Sequence, residues 1–273
     1  MSVRSIVKAW IPPAITDARR TWLGHGLRFS DATEGWAETA QRSSGYAAEV
    51  IVDAVARGTR EVIAGRAAFE RDSVLFQTPD FRYPIVAALL RAAVHSDGRL
   101  EVVDFGGSLG STYRQCKPFL ARLHRLRWHV VEQAHFVATG RREFTTDELD
   151  FAASLHELPQ FEAPAVILLS SVLQYLEDPE QTLDSLLLLN ASHLVIDRTP
   201  MSNLDENRLC IQHVPKTIYE ASYPCWALSR PRLLSRLADA RWTVLGEFPG
   251  LEGAFRTPSR LEFEFRGLIA VRT

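Results

Sequence analysis

The chain has 273 residues, of which 46% are hydrophobic and 23% are charged, and its formal net charge is −2. These proportions suit one large α/β domain with a sizeable core and exclude wholesale disorder. The near-neutral charge argues against a nucleic-acid partner. No apolar run approaches the roughly 20 residues of a membrane-spanning helix.

The number and spacing of the cysteines indicate which cellular compartment and which metal sites to expect. Cys116, Cys210 and Cys225 form no CxxC pair and no close Cys/His spacing, which argues against disulfides and structural zinc. No tight triplet of His, Asp and Glu suggests a divalent metal site. We therefore expect a cytoplasmic protein without a secretory leader that works without a metal.

The first part of the chain differs in pattern from the rest. Residues 1–80 are predicted to form a helical N-terminal extension or cap on a core of residues 81–273. Within it, an amphipathic stretch over 45–68 places apolar residues such as Tyr46 and Val50 at helical spacing. Three tryptophans here are expected to pack rather than to stack on sugars: Trp10, Trp22 and Trp36.

After a helix predicted to begin at Pro84, short apolar strands alternate with helices. The predicted strands are Leu100–Phe105, Trp128–Val131, Phe151–Leu155, Ala165–Leu169, His193–Ile196, Trp242–Leu245 and Leu261–Val271. Helices are predicted at Pro118–Leu126 and Pro179–Leu189, and the Arg/His cluster at 122–127 is interpreted as a solvated helix face. The alternation indicates a mostly parallel sheet covered on both faces, with an antiparallel hairpin at one edge.

A glycine-rich turn follows the first core strand and is the most informative segment. Residues 102–111 read VVDFGGSLGS. Glycines let the backbone approach a ligand closely, and the next helix offers free N–H groups. The second strand ends at Glu132, where a carboxylate can accept hydrogen bonds from both hydroxyls of a ribose. The pair predicts a nucleoside site.

Nicotinamide dinucleotides and S-adenosylmethionine both fit such a site. Dinucleotide sites favour GxGxxG, whereas here Asp104 stands two residues before the first glycine, Gly106. An acid at this position can reach a ligand ammonium group, which S-adenosylmethionine has and a dinucleotide lacks. The sequence therefore favours the methyl donor.

Asp104, Gly106 and Gly110 resemble the acid-x-Gly-x-Gly-x-Gly motif of class I S-adenosylmethionine-dependent methyltransferases. Ser108 replaces the middle glycine of that motif, and Ser154 stands where many members carry an acid near the adenine amino group. The segment that follows the fourth strand, 168–179, is similar in style to that of small-molecule members. The resemblance implies a Rossmann-like, seven-stranded, mostly parallel sheet with an antiparallel last strand.

More narrowly, the chain resembles a bacterial methyltransferase family associated with surface-polysaccharide gene sets. The resemblance covers most of the chain, through the segments GRAAFERDSVLF, DFGGSLGSTY, VVEQ, SSVLQYLEDP, IDRTP and QHVPKTIYEASYPCW. It implies S-adenosyl-L-methionine as the cofactor. The residues expected to bind it are Asp104, Gly106, Gly107, Ser108, Gly110, Tyr113, Glu132, Gln133, Ser154, Ser170, Ser171, Val172, Gln174 and Tyr175.

Candidate acceptor-side residues follow the fourth and fifth strands, because open α/β sheets bind ligands at the carboxyl ends of their strands. His213 is a candidate general base, with a structural histidine as the alternative. Asp197 is a candidate to orient a base or a sugar hydroxyl; a salt bridge with Arg198 or a helix cap is the alternative. No Asn/Asp-Pro-Pro-Tyr follows the fourth strand, which favours oxygen acceptors over nucleobase nitrogens.

These observations favour an O-methyltransferase acting on a small-molecule or glycan acceptor. Two alternatives of other classes stay open: a non-catalytic module that binds S-adenosylmethionine, and an NAD-linked sugar-modifying enzyme. A serine hydrolase is excluded because no Gly-x-Ser-x-Gly follows a strand. The sequence leaves the oligomeric state open.

Overall fold

The computed structural model describes residues 27–43, 49–71, 74–163, 165–214 and 221–273. The strands in these ranges are β1 (Arg28–Asp31), β2 (Phe69–Arg71), β3 (Val74–Phe76), β4 (Arg99–Phe105), β5 (Arg125–Val131), β6 (Leu149–Ala152), β7 (Ala165–Ser170), β8 (Ala191–Ser202), β9 (Arg208–Val214), β10 (Ala221–Ser229), β11 (Trp242–Arg256) and β12 (Glu262–Arg272). The α-helices are α1 (Trp36–Arg42), α2 (Glu49–Ile63), α3 (Tyr83–Val94), α4 (Ser111–Leu120), α5 (Ala134–Glu143), α6 (Pro179–Leu187) and α7 (Arg230–Asp239). Trp10 and Trp22 lie outside the described residues.

Seven strands form the core sheet in the order β6-β5-β4-β7-β8-β12-β11. The first five are mutually parallel, and β12 runs antiparallel to both β8 and β11. The prediction of a Rossmann-like, mostly parallel sheet with an antiparallel last strand is confirmed. All seven predicted strands occur, although several boundaries differ by two or more residues.

The sheet is larger than predicted, because it branches at the end of β8. There Met201 and Ser202 pair with β10, which continues through β9 to β1 and makes a sheet of ten strands in the described residues. The segment before residue 81 is therefore not purely helical: β1 belongs to the main sheet, and β2 and β3 form a separate hairpin. The domain boundary at residue 80 stays a prediction.

Helices cover both faces of the core sheet, as the near-continuous apolar strands require. On β4, Val102 faces a cluster with side chains of α2, α3, α4 and α5, whereas its neighbour Val103 faces the cluster with α6 and α7. This alternation follows from the two-residue period of a strand. Because helices cover both apolar faces, the carboxyl edge of the sheet is left open for polar groups.

Local signals fix several helix starts. Asp178 caps α6 by accepting the N–H of Gln181 at 2.8 Å, and Pro179 follows at the first helical position. Ser229 caps α7 in the same way through the N–H of Arg232. The predicted helices at Pro84 and Pro179 are thus confirmed.

The helix predicted at Pro118–Leu126 has the wrong bounds. Helix α4 begins at Ser111, directly after Gly110, and ends at Leu120; β5 begins at Arg125. Pro118 lies inside the last turn of α4 rather than at its start. The Arg/His cluster at 122–127 is consequently an exposed turn and the start of a strand, not a helix face.

Three neighbouring strands carry a row of charged residues away from the carboxyl edge of the sheet, with a buried histidine at its centre. His129 Nδ1 lies 2.8 Å from Asp150 and its Nε2 lies 3.1 Å from Glu101, while the imidazole is 2% exposed. Burial by itself lowers the pKa of His129, but the two carboxylates outweigh it and raise that pKa to about 9.

Because the folded pKa of His129 exceeds its unfolded value near 6.5, its charged form stabilises the protein fully below pH 6.5, and this contribution is lost as pH rises through 9. Allowing for screening at half-exposed Asp150, the contribution is on the order of 2 kcal/mol. Urea unfolding at pH 6.5 and pH 9.5 measures it. We expect the loss in the wild type and not in His129→Gln; equal pH dependence in both proteins would contradict the assignment.

Candidate functional site

A large cavity, of about 2230 Å³, opens at the carboxyl edge of the core sheet. Its walls come from the ends of β4, β5 and β7, from the middle of β8, from the β2–β3 hairpin, and from β9 and β10. This is where open α/β sheets place their ligands. Predicted site residues that line it are Asp104, Gly106, Gly107, Ser108, Glu132, Gln133, Ser154, Ser170, Ser171, Val172, Tyr175 and Asp197.

The glycine-rich turn after β4 contains three residues with left-handed backbone. Gly106 has φ +74°, Ser108 φ +55° and Gly110 φ +83°. Ser108, which stands where the resembled motif has a glycine, thus adopts the conformation that glycine favours. The backbone path of the turn is kept despite the substitution, at a cost of roughly 1–2 kcal/mol.

Two of the glycines are required by close approach. A Cβ on Gly106 would lie 2.5 Å from Val172 Cγ2, and a Cβ on Gly107 would overlap the carboxyl group of Asp104. The turn is therefore wedged between the end of β4 and the segment after β7. Only residues without a side chain fit at these two positions.

Asp104 lies beneath the turn, 1% exposed, and accepts a hydrogen bond from Trp128 Nε1 at 2.9 Å. Burial raises the pKa of Asp104 to about 7; the Trp128 hydrogen bond opposes this rise, and the neighbouring charge of Glu132 adds to it. A buried carboxyl group of this kind is stabilised in its ionised form by a cation entering the cavity.

Glu132 follows directly after β5, on the same side of the cavity. Its carboxylate accepts the N–H of Gln133 at 2.6 Å, and a backbone hydrogen bond from Ser108 ties it to the glycine turn. Burial raises the pKa of Glu132, and these two hydrogen bonds oppose the rise. The two acids thus flank one turn, at the ends of adjacent parallel strands.

The floor of the cavity is the segment after β7. Ser171 has a left-handed φ of +58° and Arg198, after the end of the β7–β8 pairing, has φ +51°. Gln174 holds both from below, because its amide donates to Ser171 Oγ at 3.1 Å and to the carbonyl of Arg198 at 3.2 Å. Together with Ser108, two more non-glycine residues with strained backbone therefore lie at this cavity, as is common at functional sites.

Asp197 is fully buried and paired with Arg82, not with Arg198. Arg82 Nη2 lies 2.5 Å from Oδ1 and Nε lies 3.1 Å from Oδ2, and the guanidinium also contacts the Phe248 ring at 5.6 Å. Arg198 instead pairs with Glu252 at 2.6 Å. Two ion pairs thus form one wall of the cavity.

Removing Arg82 would leave the Asp197 carboxylate buried, with a 3.4 Å contact to Ser170 Oγ. We expect Arg82→Ala to lower the free energy of unfolding by about 3–5 kcal/mol. Arg208→Ala, which breaks an exposed pair with Glu206, is the control and should cost under about 1 kcal/mol. Urea titration checks both, and equal small losses would contradict the buried-pair description.

Four predicted residues do not line the cavity. Tyr113 is 3% exposed, donates to Glu148 at 2.6 Å and packs edge-on against Trp128, so it belongs to the core. Gly110 and Gln174 support the turn and the floor from behind. Tyr113, Gly110 and Gln174 therefore contribute to a site only indirectly.

His213 is the fourth. Its Nε2 lies 2.8 Å from Ser30 Oγ, while its β9 neighbours Gln212 and Val214 line the cavity. Successive side chains of a strand point to opposite faces, so His213 faces away from the site. The geometry gives no support to a general base at this position, and the structural alternative describes it better.

Two further wall residues were missed by sequence reasoning. Arg82 lies 115 positions from Asp197, and nothing in its local sequence marks it. Glu252, by contrast, stands between Gly250 and Gly253, in the segment that follows the predicted strand Trp242–Leu245. Such glycines often mark a bulge, which is a signal that was available.

Trp36, which the sequence predicts to be a packing residue, stacks on a second tryptophan. Trp226 stacks on Trp36 at 5.9 Å and donates to the carbonyl of Leu176, so both tryptophans are packing residues here.

Within the described ranges, no cluster of three His, Cys, Asp or Glu side chains could hold a metal ion. In the same ranges no helix has the length and apolarity to cross a bilayer.

Comparison with known proteins gives structural likeness only. No family model matches the sequence, and no curated protein matches it. Similar solved structures include an S-adenosylmethionine-dependent methyltransferase from Methanosarcina mazei, with 12% identity over 71% of this chain and 99% of that one and a TM-score of 0.48. Magnesium protoporphyrin IX methyltransferase from Synechocystis PCC 6803 has 15% identity over 100% and 98% of the two chains, with a TM-score of 0.42.

A third similar structure is the 1,6-didemethyltoxoflavin-N1-methyltransferase of Burkholderia thailandensis. It has 20% identity over 84% of this chain and 92% of that one, and a TM-score of 0.39. At these identities and TM-scores, the likenesses identify neither a family nor a substrate for this chain.

Proposed function

We propose that the protein is an S-adenosylmethionine-dependent methyltransferase. One observation carries the proposal: Asp104 and Glu132, at the ends of adjacent parallel strands, line one cavity on either side of a glycine turn with left-handed backbone. A carboxylate for an ammonium group and a carboxylate for a ribose, separated by a turn that admits a ligand, fit an aminoacyl nucleoside.

The residues divide the ligand between them. Asp104 and the turn 106–108 would hold the methionine part, Glu132 the ribose hydroxyls, and Gln133 and Ser154 the adenine edge. When bound, S-adenosylmethionine supplies an electrophilic methyl group on a sulfonium. The protein's task is to hold donor and acceptor in line and to exclude water.

A nicotinamide dinucleotide fits these residues less well. Its pyrophosphate would bring negative charge towards Asp104, which is buried next to Glu132. The ammonium group of S-adenosylmethionine brings the opposite charge. This difference favours the methyl donor over an NAD-linked reaction.

The acceptor side favours a polar ligand. Two ion pairs, Arg82 with Asp197 and Arg198 with Glu252, line the wall together with Tyr175, whose hydroxyl donates to Gln212 at 2.9 Å. Such a wall offers many hydrogen bonds and little net charge. We propose O-methylation of a small-molecule or carbohydrate-like acceptor in the cytoplasm.

Titration calorimetry with S-adenosylmethionine, S-adenosylhomocysteine and NAD tests the cofactor. We expect binding of the first two and none of NAD. Glu132→Gln should weaken binding by about tenfold or more, since ribose hydrogen bonds to a charged group are worth roughly 1.5–3 kcal/mol. Glu206→Gln, an exposed acid outside the cavity, is the control.

Turnover is tested separately, with a labelled methyl donor and a panel of methyl glycosides and phenols. Formation of S-adenosylhomocysteine that depends on an added acceptor is the expected result. Tight cofactor binding with no turnover on any acceptor class would favour a non-catalytic binding module. Binding of NAD alone would overturn the proposal.

A further inference from the structure

Strand β11 carries an unusual bulge at the cavity. Its pairing with β12 steps from Pro249 opposite Arg266 directly to Ala254 opposite Glu264, so residues 250–253 face one residue, Phe265. Gly250 lies against the Phe265 backbone, where a Cβ would come within 2.7 Å, and Gly253 has φ +85°. Bulges commonly re-aim a side chain at the edge of a site.

Arginines from two other elements hold this bulge in the cavity wall. Arg82, before α3, donates to the carbonyl of Pro249 at 3.3 Å. Arg198, which itself has left-handed backbone within β8, donates through Nε to Glu252 Oε1 at 2.6 Å. The residues of the bulge line the cavity. Its position is therefore fixed from both sides.

The arrangement leaves one oxygen of Glu252 without a partner. Oε2 is buried and has no hydrogen bond among the described residues, and the side chain is 11% exposed. A buried carboxylate oxygen without a hydrogen bond destabilises the folded protein. Glu252 lines the cavity, and a hydrogen-bond donor on a ligand bound there would satisfy this oxygen.

We propose that Glu252 Oε2 accepts the hydroxyl hydrogen of the methyl acceptor and takes its proton as transfer occurs. This rests on the proposed methyltransferase function. The acceptor oxygen forms a bond to the methyl carbon, the carbon–sulfur electron pair goes to sulfur, and the hydroxyl proton goes to the Glu252 carboxylate and then to solvent. The substrate class is thus an alcohol or phenol.

Asp197, the other acid of the wall, is less suited to this role. Both of its oxygens accept hydrogen bonds from Arg82, and one also contacts Ser170 Oγ. Glu252 has one oxygen committed to Arg198 and one available. Asp197 therefore serves to position Arg82, and through it the bulge.

Kinetics on any acceptor found in the panel test the role. We expect Glu252→Gln to lower kcat by about 100-fold or more, with KM within about threefold and unchanged S-adenosylmethionine affinity. Glu252→Asp should recover part of the rate. Glu247→Gln, on the same strand but outside the cavity, is the matched control. A Glu252→Gln enzyme with wild-type kcat overturns the proposal.

A second measurement needs no acceptor. In crystals of the S-adenosylhomocysteine complex soaked with glycerol, we expect a glycerol hydroxyl within about 3.2 Å of Glu252 Oε2, on the side of the sulfur. An Oε2 that turns away to a protein donor overturns the role of Glu252 even when the nucleoside is bound. Failure of the nucleoside to bind at all counts against the methyltransferase proposal instead.

Discussion

Replacing Gly106 with alanine is expected to lower S-adenosylmethionine affinity by at least about 30-fold, equivalent to roughly 2 kcal/mol. The added Cβ would lie 2.5 Å from Val172 Cγ2, in a residue with φ +74°. The left-handed backbone costs about 1–2 kcal/mol and the overlap about 1–3 kcal/mol. Relief of both requires the turn to move away from the cavity floor. Titration calorimetry measures the loss.

The chain offers a matched control for this substitution. Gly65 has φ +71°, but a Cβ there meets no atom within 4 Å. Gly65→Ala therefore carries the backbone cost alone and should leave the affinity unchanged. Val172→Ala in the Gly106→Ala background should restore part of the affinity. Equal affinity of Gly106→Ala and Gly65→Ala would show that overlap with Val172 does not lower the affinity.

The affinity for S-adenosylmethionine is expected to fall as pH drops below about 7. Burial raises the pKa of Asp104 to about 7 in the free protein, against the Trp128 hydrogen bond. Because the ammonium group requires the ionised carboxylate, a protonated Asp104 must release its proton on binding. The affinity should therefore fall towards tenfold per pH unit below 7, reaching about 30-fold at pH 5.5.

Calorimetry in two buffers with different ionisation enthalpies measures the proton release directly. Close to one proton per ligand is expected at pH 5.5, and close to none at pH 8. Asp104→Asn should bind more weakly at neutral pH, and the part of the pH dependence due to Asp104 should be absent. An unchanged pH profile in Asp104→Asn would show that another group is responsible.

Much of the fold could be predicted because the signals are local. The predicted parallel strands are short apolar runs, and two of the helices, α3 and α6, have Pro84 and Pro179 in their first turn, the second capped by Asp178. The placement of Asp104 and Glu132 at one edge follows from the same rule, since carboxyl ends of parallel strands meet. The positions of Asp104 and Glu132 could therefore be predicted from the strand pattern alone.

The rest depends on contacts that a local pattern does not encode. The position of His213 after β8 predicts a cavity-facing side chain, but the pairing of β9 with β1 and β10, which no local pattern predicts, turns it outward. Arg82 reaches Asp197 across 115 positions. The start of α4 is set by the left-handed Gly110, and Pro118 pointed to the wrong end of that helix.

A crystal structure of the protein with S-adenosylhomocysteine tests the central claim most directly. We expect the ribose hydroxyls within about 3.2 Å of the Glu132 carboxylate and the amino-acid part at the 106–108 turn, above Asp104. Density for the nucleoside elsewhere, or a cavity that stays closed to it at saturating concentration, would contradict the claim.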